Sequence, residues 1–277
     1  MQTTGPEFER PPVAEVALAV YFARPLRIPS AQLGRLWARW SDQYPRTEDQ
    51  PPLSAIPIES FPAPPNFIPF QVMGGFPGPR VWFLSEDGNH VLQLQADRLI
   101  LNWRKSSTDD TYPHYDQLRP KFAAALQQFQ DHISDENLGP LDFSQAEVTY
   151  INPVPINSLG SPKDVSLLVA PWTGKFTDEF LPDPEDVRLA LRFQIPNPQD
   201  GTPAGRLYVE GNSAFHQSLG DNQLNEVYML QLFARGKPLG EGVEGVLKFL
   251  DLGHSYVVNG FASITATEIK REWGYKS

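Results

Sequence analysis

Between Val81 and Ile133 the hydrophobic period changes once, from two residues to about 3.6, which limits this stretch to strands backed by a helix. In Val91 to Gln95, Leu92 and Leu94 fall on one side and Gln93 and Gln95 on the other. Leu99, Leu101 and Trp103 repeat the pattern, with Asn102 and Arg104 opposite. Ala96-Asp97-Arg98 between them is short enough for a tight hairpin. Trp82-Phe83-Leu84 precedes the pair, and Ser85 to Asn89 has the residues of a turn. The three runs read as an antiparallel meander with one dry and one wet face. The helix that follows takes Thr111 as N-cap and Pro113 in its first turn. Leu118, Phe122, Leu126, Phe129 and Ile133 form its apolar stripe. Pro120 predicts a kink or a helix start nearby.

The rest of the chain is arranged around this unit. Val13 to Phe22 reads as a strand, and Ser30 to Trp40 as a helix capped by Ser30. Gln50 to Pro69 holds seven prolines in twenty residues, too many for regular structure, and reads as a connector wrapped over the surface in extended form. Phe67 to Met73 is expected to begin the meander, after which Gly74 to Pro79 turns. Ala146 to Ile151 reads as a strand ended by Asn152-Pro153-Val154-Pro155. Val165 to Ala170 is a short apolar run, and residues 171 to 186 are loop-like. Val187 to Ile195, Gly205 to Ser213 and Asn225 to Arg235 are strand-like. Val243, Val246, Leu247, Leu250, His254, Val257, Phe261 and Ile264 form the stripe of a last long helix.

The order of elements divides the chain into two α+β halves, residues 11–140 and 141–277, packed as one unit. Each half ends in a long helix after about four strands. The expected fold is two pseudo-repeated antiparallel sheets, each backed by a long helix. That order resembles the TATA-binding-protein-like fold in its duplicated form, which implies a curved sheet with helices on its back. Fold alone carries no function.

Charge and composition exclude several classes. The net charge is −10, which argues against nonspecific binding to nucleic acid or anionic membranes. A local basic groove could still begin at Arg24, Arg27, Arg35 and Arg39. There are no cysteines, hence no disulfide, thiol nucleophile or thiolate metal site, as suits a cytoplasmic protein. Met1 to Arg10 lacks the apolar core and basic lead of a signal peptide, and no apolar run is long enough to span a bilayer.

No motif fixes a chemistry. Gly240-Glu241-Gly242-Val243-Glu244-Gly245 matches the dinucleotide fingerprint literally, but its two carboxylates would repel a pyrophosphate and no parallel strand with an acidic residue follows. Gly174-Lys175 lacks the first glycine of a phosphate loop. His254 is the strongest single candidate, as a general base or a pH-sensitive contact, with Asp251 one turn earlier to fix its tautomer. Ser255 is adjacent and cannot face it from the same helix. Asp109, Asp110, His114 and Asp116 form an oxygen-rich cluster that could hold a divalent cation or simply cap a helix. Gln93, Gln95, Asn102 and Arg104 form a polar sheet face that could meet a partner. No cofactor is implied.

Several segments taken together resemble a family. Pro11-Pro12-Val13-Ala14-Glu15-Val16, Leu92-Gln93-Leu94-Gln95 with Asp97-Arg98, Asn102-Trp103-Arg104, Tyr112-Pro113 and Glu147-Val148-Thr149-Tyr150-Ile151-Asn152 look like a sporadically distributed family of uncharacterised bacterial proteins. Asp251, His254, Phe261 and Trp273-Gly274 extend the resemblance over nearly the whole chain. It implies an accessory role, as in toxin–antitoxin pairs, phage defence or mobile-element cargo. The leading expectation is a cytosolic, non-enzymatic, antitoxin-like or defence-associated protein that presents a sheet face to a basic protein partner. The alternatives are a hydrolase or nucleotide-acting enzyme using His254, and a nucleic-acid binder by fold analogy.

Overall fold

A computed structural model describes residues 6–62, 79–155, 165–174, 178, 180–181, 184–217 and 224–276. The expected strand over Phe67 to Met73, most of the turn after it and Lys175 lie outside these residues. Among the described residues the fold is α+β, with a nine-stranded antiparallel sheet, a two-stranded ribbon and four α-helices. The chain runs β1 (Glu7–Phe8), β2 (Glu15–Phe22), α1 (Ser30–Trp40), β3 (Arg46–Gln50), β4 (Arg80–Leu84), β5 (His90–Gln95), β6 (Arg98–Arg104) and α2 (Tyr115–Asp135). It continues with β7 (Phe143–Pro155), β8 (Leu189–Pro196), β9 (Pro203–Gln217), β10 (Leu224–Gly236), α3 (Gly242–Ile264), α4 (Thr267–Glu272) and β11 (Tyr275–Lys276).

The large sheet has the order β3-β4-β5-β6-β2-β7-β10-β9-β8, and β1 pairs with β11 to make the ribbon. Two sheets were expected and one is found. The join is the pairing of β2 with β7, Val16 opposite Tyr150 and Leu18 opposite Val148. The alternation of β2 defines its faces and leaves open which strand takes each backbone edge. The edge strand β3 was also missed. Its sequence, Arg-Thr-Glu-Asp-Gln, is exposed at four positions and so carries no apolar alternation. Strand β7 runs through Pro153 to Pro155 rather than stopping at Asn152. Beyond Ile151 its pairing with β2 has ended and only β10 accompanies it, which leaves an edge that tolerates proline.

The helices cover one face. Val16, Leu18 and Val20 of β2, Leu92 and Leu94 of β5, Val148 of β7 and Leu230 and Leu232 of β10 meet Leu118, Phe122, Leu126 and Phe129 of α2 and Val246, Leu250 and Val257 of α3 in one core. Phe22 stacks on Phe129 at 5.4 Å, and Trp40 of α1 meets Phe83 of β4 edge to face at 5.1 Å. Gly253 lets α3 lie close to the sheet, since a Cβ there would sit 3.0 Å from Val148 and 3.1 Å from Ala234. Helix α2 starts at Tyr115, so the N-cap position falls to His114 at φ 60° rather than to Thr111, and Pro120 lies inside the helix. Helix α1 spans Ser30–Trp40, but the N-cap position falls to Pro29 rather than to Ser30, and no side chain caps it.

The opposite face carries the amide and charged residues, and a strap from Pro51 to Phe61 crosses it. Arg80 of β4 donates to Pro51 O at 2.8 Å. Gln95 of β5 accepts from Leu53 N at 2.8 Å and donates to Leu53 O at 3.0 Å. Arg98 of β6 donates to Ser54 O at 2.8 Å, and Ile56 packs against the cluster of Ala19, Tyr21 and Ile100. Gln145 of β7 accepts from Glu59 N at 2.8 Å. Arg206 of β9 ion-pairs with Glu59 and donates to Ser60 O at 2.6 Å, and Tyr208 donates to Glu59 at 2.5 Å. The strap meets β4, β5, β6, β2, β7 and β9 in their sheet order and so runs across them. Nine residues in extended form reach roughly 28 Å, and six strand-to-strand steps span roughly 29 Å. The match requires a nearly straight segment, which its prolines favour.

Candidate functional site

A cleft opens on the helix side, where β7 outruns β2. Its volume is about 850 Å³. The floor is Tyr150 and Asn152 of β7 with Leu232 of β10. One wall is Tyr112 and the first turn of α2, the other is His254 to Phe261 of α3, and the rim is Glu7, Phe8, Glu9 and Lys276 of the ribbon with its flank. Phe8 holds the ribbon down, with its ring 5.3 Å from Phe261 and 5.2 Å from Tyr275.

His254 lies at the centre of a hydrogen-bonded aromatic array. Its Nδ1 is 3.0 Å from Tyr150 Oη, which is 2.7 Å from Tyr112 Oη. Tyr115 lies flat on the imidazole, with centroids 4.0 Å apart and planes 7° from parallel. Asp251 does not orient the histidine directly. It accepts from Tyr115 Oη at 2.8 Å and takes a bidentate pair from Arg119 at 2.6 and 2.8 Å. Asp251 therefore fixes the ring stacked on His254 rather than its tautomer. Burial lowers the His254 pKa to about 4, against the opposing pull of Asp116 and Asp251, so the ring is neutral near pH 7. Burial also raises Tyr112, Tyr115 and Tyr150 above the usual phenol range, so all three keep their protons.

Two phenols and one neutral imidazole carry three protons and share two hydrogen bonds. The third proton depends on which way the chain of donors runs. If Tyr112 donates to Tyr150 and Tyr150 to Nδ1, the imidazole proton is on Nε2. If the chain runs the other way, Nε2 is an acceptor and Tyr112 keeps a free donor. Asn152 is only 2 % exposed, and its Nδ2 donates to Leu230 O at 3.0 Å. Its Oδ1 receives no donor among the described residues.

The other residues singled out in the sequence lie elsewhere or apart. Gln93, Gln95 and Asn102 are buried on the strap face. Gln93 donates to Asn102 at 2.5 Å and accepts from Trp82 at 2.8 Å, and Asn102 bonds Glu15. Arg104 donates to Gly88 O at 3.2 Å and lies over Trp82. Asp110 accepts from the Ser106 and Ser107 amides, and His114 tilts against Tyr112 at 5.0 Å. Asp116 lines the cleft from the first turn of α2, while Asp109 does not reach it. Among the described residues no three His, Asp or Glu side chains gather as metal ligands. The glycine run at 240–245 is a tight turn onto α3. Leu239 N donates to Gly245 O at 2.9 Å, and a Cβ on Gly245 would sit 2.1 Å from Gly240 O. Arg35 and Arg39 pair with Glu136 at 2.6 Å and Asp135 at 2.7 Å, which leaves little of the proposed basic groove. Among the described residues no helix is long and apolar enough to cross a membrane.

Tyr112, Tyr150 and Asn152 were not read as site residues in the sequence. The available signal was Tyr150 on the buried face of β7, in line with Ala146 and Val148, where a hydroxyl must find a partner. Comparison with known proteins adds nothing here, since no protein-family model matches the chain and no curated protein matches its sequence.

Proposed function

We propose that this chain is a binding protein, accessory to a partner system, and that the cleft beside His254 is where it engages its partner. The observation that carries this reading is the environment of His254. A neutral imidazole that gains a proton only near pH 4 is a poor general base at neutral pH. Its Nδ1 faces a phenol rather than a carboxylate, and Asp251 is committed to Arg119 and Tyr115. Rings, hydroxyls and an amide oxygen around a concave floor suit recognition better than proton transfer. Among the described residues no nucleophile–base–orienter set of the kind a hydrolase requires forms around His254. The resemblance to accessory-gene proteins and the net charge of −10 favour a basic partner.

We further propose that the two halves are a degenerate duplication with TATA-binding-protein-like topology. The strand order supports it. Outward from the central β2–β7 pair come β6, β5, β4 and β3 on one side and β10, β9 and β8 on the other. In each half the strand preceding the long helix lies next to the central strand. The second half is one strand shorter.

Thermal melting in the presence of a panel of amines, carboxylates, nucleotides and basic peptides tests the binding reading. At least one class should raise the melting temperature of the wild type in a concentration-dependent way. The rise should vanish in Ser255→Trp, which places an indole in the cleft from an exposed position on α3. A panel that leaves the wild type unmoved, or moves both proteins alike, overturns the assignment of this cleft.

A further inference from the structure

We infer that the group recognised in this cleft is an organic cation, an alkylammonium or guanidinium. The inference rests on the binding reading above and adds the chemistry of the ligand. Asp116 and Glu7 line the cleft, and neither has an ion-pair partner among the described residues. Lys276, the one Lys or Arg on the lining among the described residues, is 2.9 Å from Glu9 and so already paired. The His254 ring is uncharged and adds no positive field.

Two further observations are independent of the carboxylates. Asn152 is almost wholly buried, its Nδ2 is fixed on Leu230 O, and its Oδ1 is left for the cleft it lines. That oxygen accepts no hydrogen bond from the described residues, and an ammonium or guanidinium N–H would supply one. Phe8, Tyr112 and Tyr150 line the cleft, and aromatic rings attract a cation once it is partly desolvated. An anion would meet the two unpaired carboxylates of Glu7 and Asp116, with Lys276 already paired to Glu9. A neutral apolar ligand would leave the Asn152 oxygen unpaired.

The hydrogen-bond chain suits such a ligand. With an N–H donor near the imidazole, the chain takes the direction in which His254 donates from Nδ1 to Tyr150 and Tyr150 donates to Tyr112. Nε2 is then an acceptor. The array adjusts to the ligand by reversing two hydrogen bonds, with no change of charge.

Titration calorimetry of the full chain at 0.3 M NaCl tests the inference, because salt at that level screens attraction by the acidic surface at large. The probes are spermidine, an acetylated and amidated tetralysine peptide, and citrate. One of the cations should bind the wild type, at least tenfold more weakly to Asp116→Asn, and undetectably to Ser255→Trp. Preference for spermidine identifies a free amine as the source, and preference for the peptide identifies a basic protein. Equal cation binding by all three proteins places it on the outer surface and overturns the inference. Binding of citrate that Ser255→Trp abolishes, without cation binding, overturns the cation while keeping the cleft. Binding of nothing overturns both.

Discussion

Protonating His254 in place would set a charge between two tyrosine rings with no carboxylate in hydrogen-bond contact. Its folded pKa of about 4 lies below the unfolded value, so the unfolded state binds the extra proton first as pH falls. The neutral ring's full stability is present above about pH 6.5 and is lost as pH drops toward 4, by about 3 kcal/mol in all. Burial also lowers His90, with Lys121 adding to it, and His132, with Arg39 adding to it, so the wild-type profile is a composite. Urea unfolding of wild type and His254→Gln at pH 7.5 and pH 4.5 separates the contribution. The wild type should lose about 2 kcal/mol more than the variant over that interval; equal losses would mean that His254 is solvated in the fold. The sequence put His254 on the buried stripe of a helix. Its partners Tyr112 and Tyr150 lie far from it in the chain, and no spacing rule joins a helix to a strand that passes beneath it.

At the level of elements, the strap shows how far composition can be read. Seven prolines in twenty residues indicated an extended segment. They gave no hint of what it lies against, because prolines offer the sheet only carbonyls and rings, which fit many surfaces. The recognition is done by the sheet, through Gln95, Arg98, Gln145 and Arg206, which from the sequence look like any solvated strand face. Glu59 is the strongest anchor, 7 % exposed and bonded to both Arg206 and Tyr208. Replacing it with alanine leaves the Arg206 guanidinium buried without its counter-ion, at a cost of about 3 kcal/mol. Glu59→Ala should melt several degrees lower and be cut between Pro51 and Pro62 by a protease at concentrations that spare the wild type. Unchanged melting and unchanged cleavage would show that the pair adds nothing to the anchoring of the strap.

For the molecule as a whole, joining the halves into one sheet changes what unfolding should look like. Strand β2 is central, flanked by β6 and β7, and its side chains on the helix face are fully buried. Separating the halves exposes that apolar strand along a whole edge. The full chain should therefore unfold in urea in one transition, with circular dichroism and tryptophan fluorescence coinciding, since Trp103 and Trp273 report from opposite halves. The isolated fragment 11–140 should aggregate or give no cooperative transition. Two resolved transitions in the full chain would mean that the halves are separate folding units. Most strands and all three longer helices were legible as segments because each buries one periodic face. The β2–β7 join was not, because backbone edges leave no mark on side-chain pattern.

The strap's anchors also impose an order in time. Pro51 to Ser60 leaves the ribosome well before Gln145 and Arg206 exist, and at about 5–20 residues per second the wait for Tyr208 is roughly 7 to 30 s. During that interval Glu59 and the strap's carbonyls lack their partners on the second half. They are accessible to water, to chaperones and to proteases. A fully seated strap then reports that synthesis has passed Tyr208, and a product truncated before that point holds its strap through Arg80, Gln95 and Arg98 while its Glu59 end lacks Tyr208.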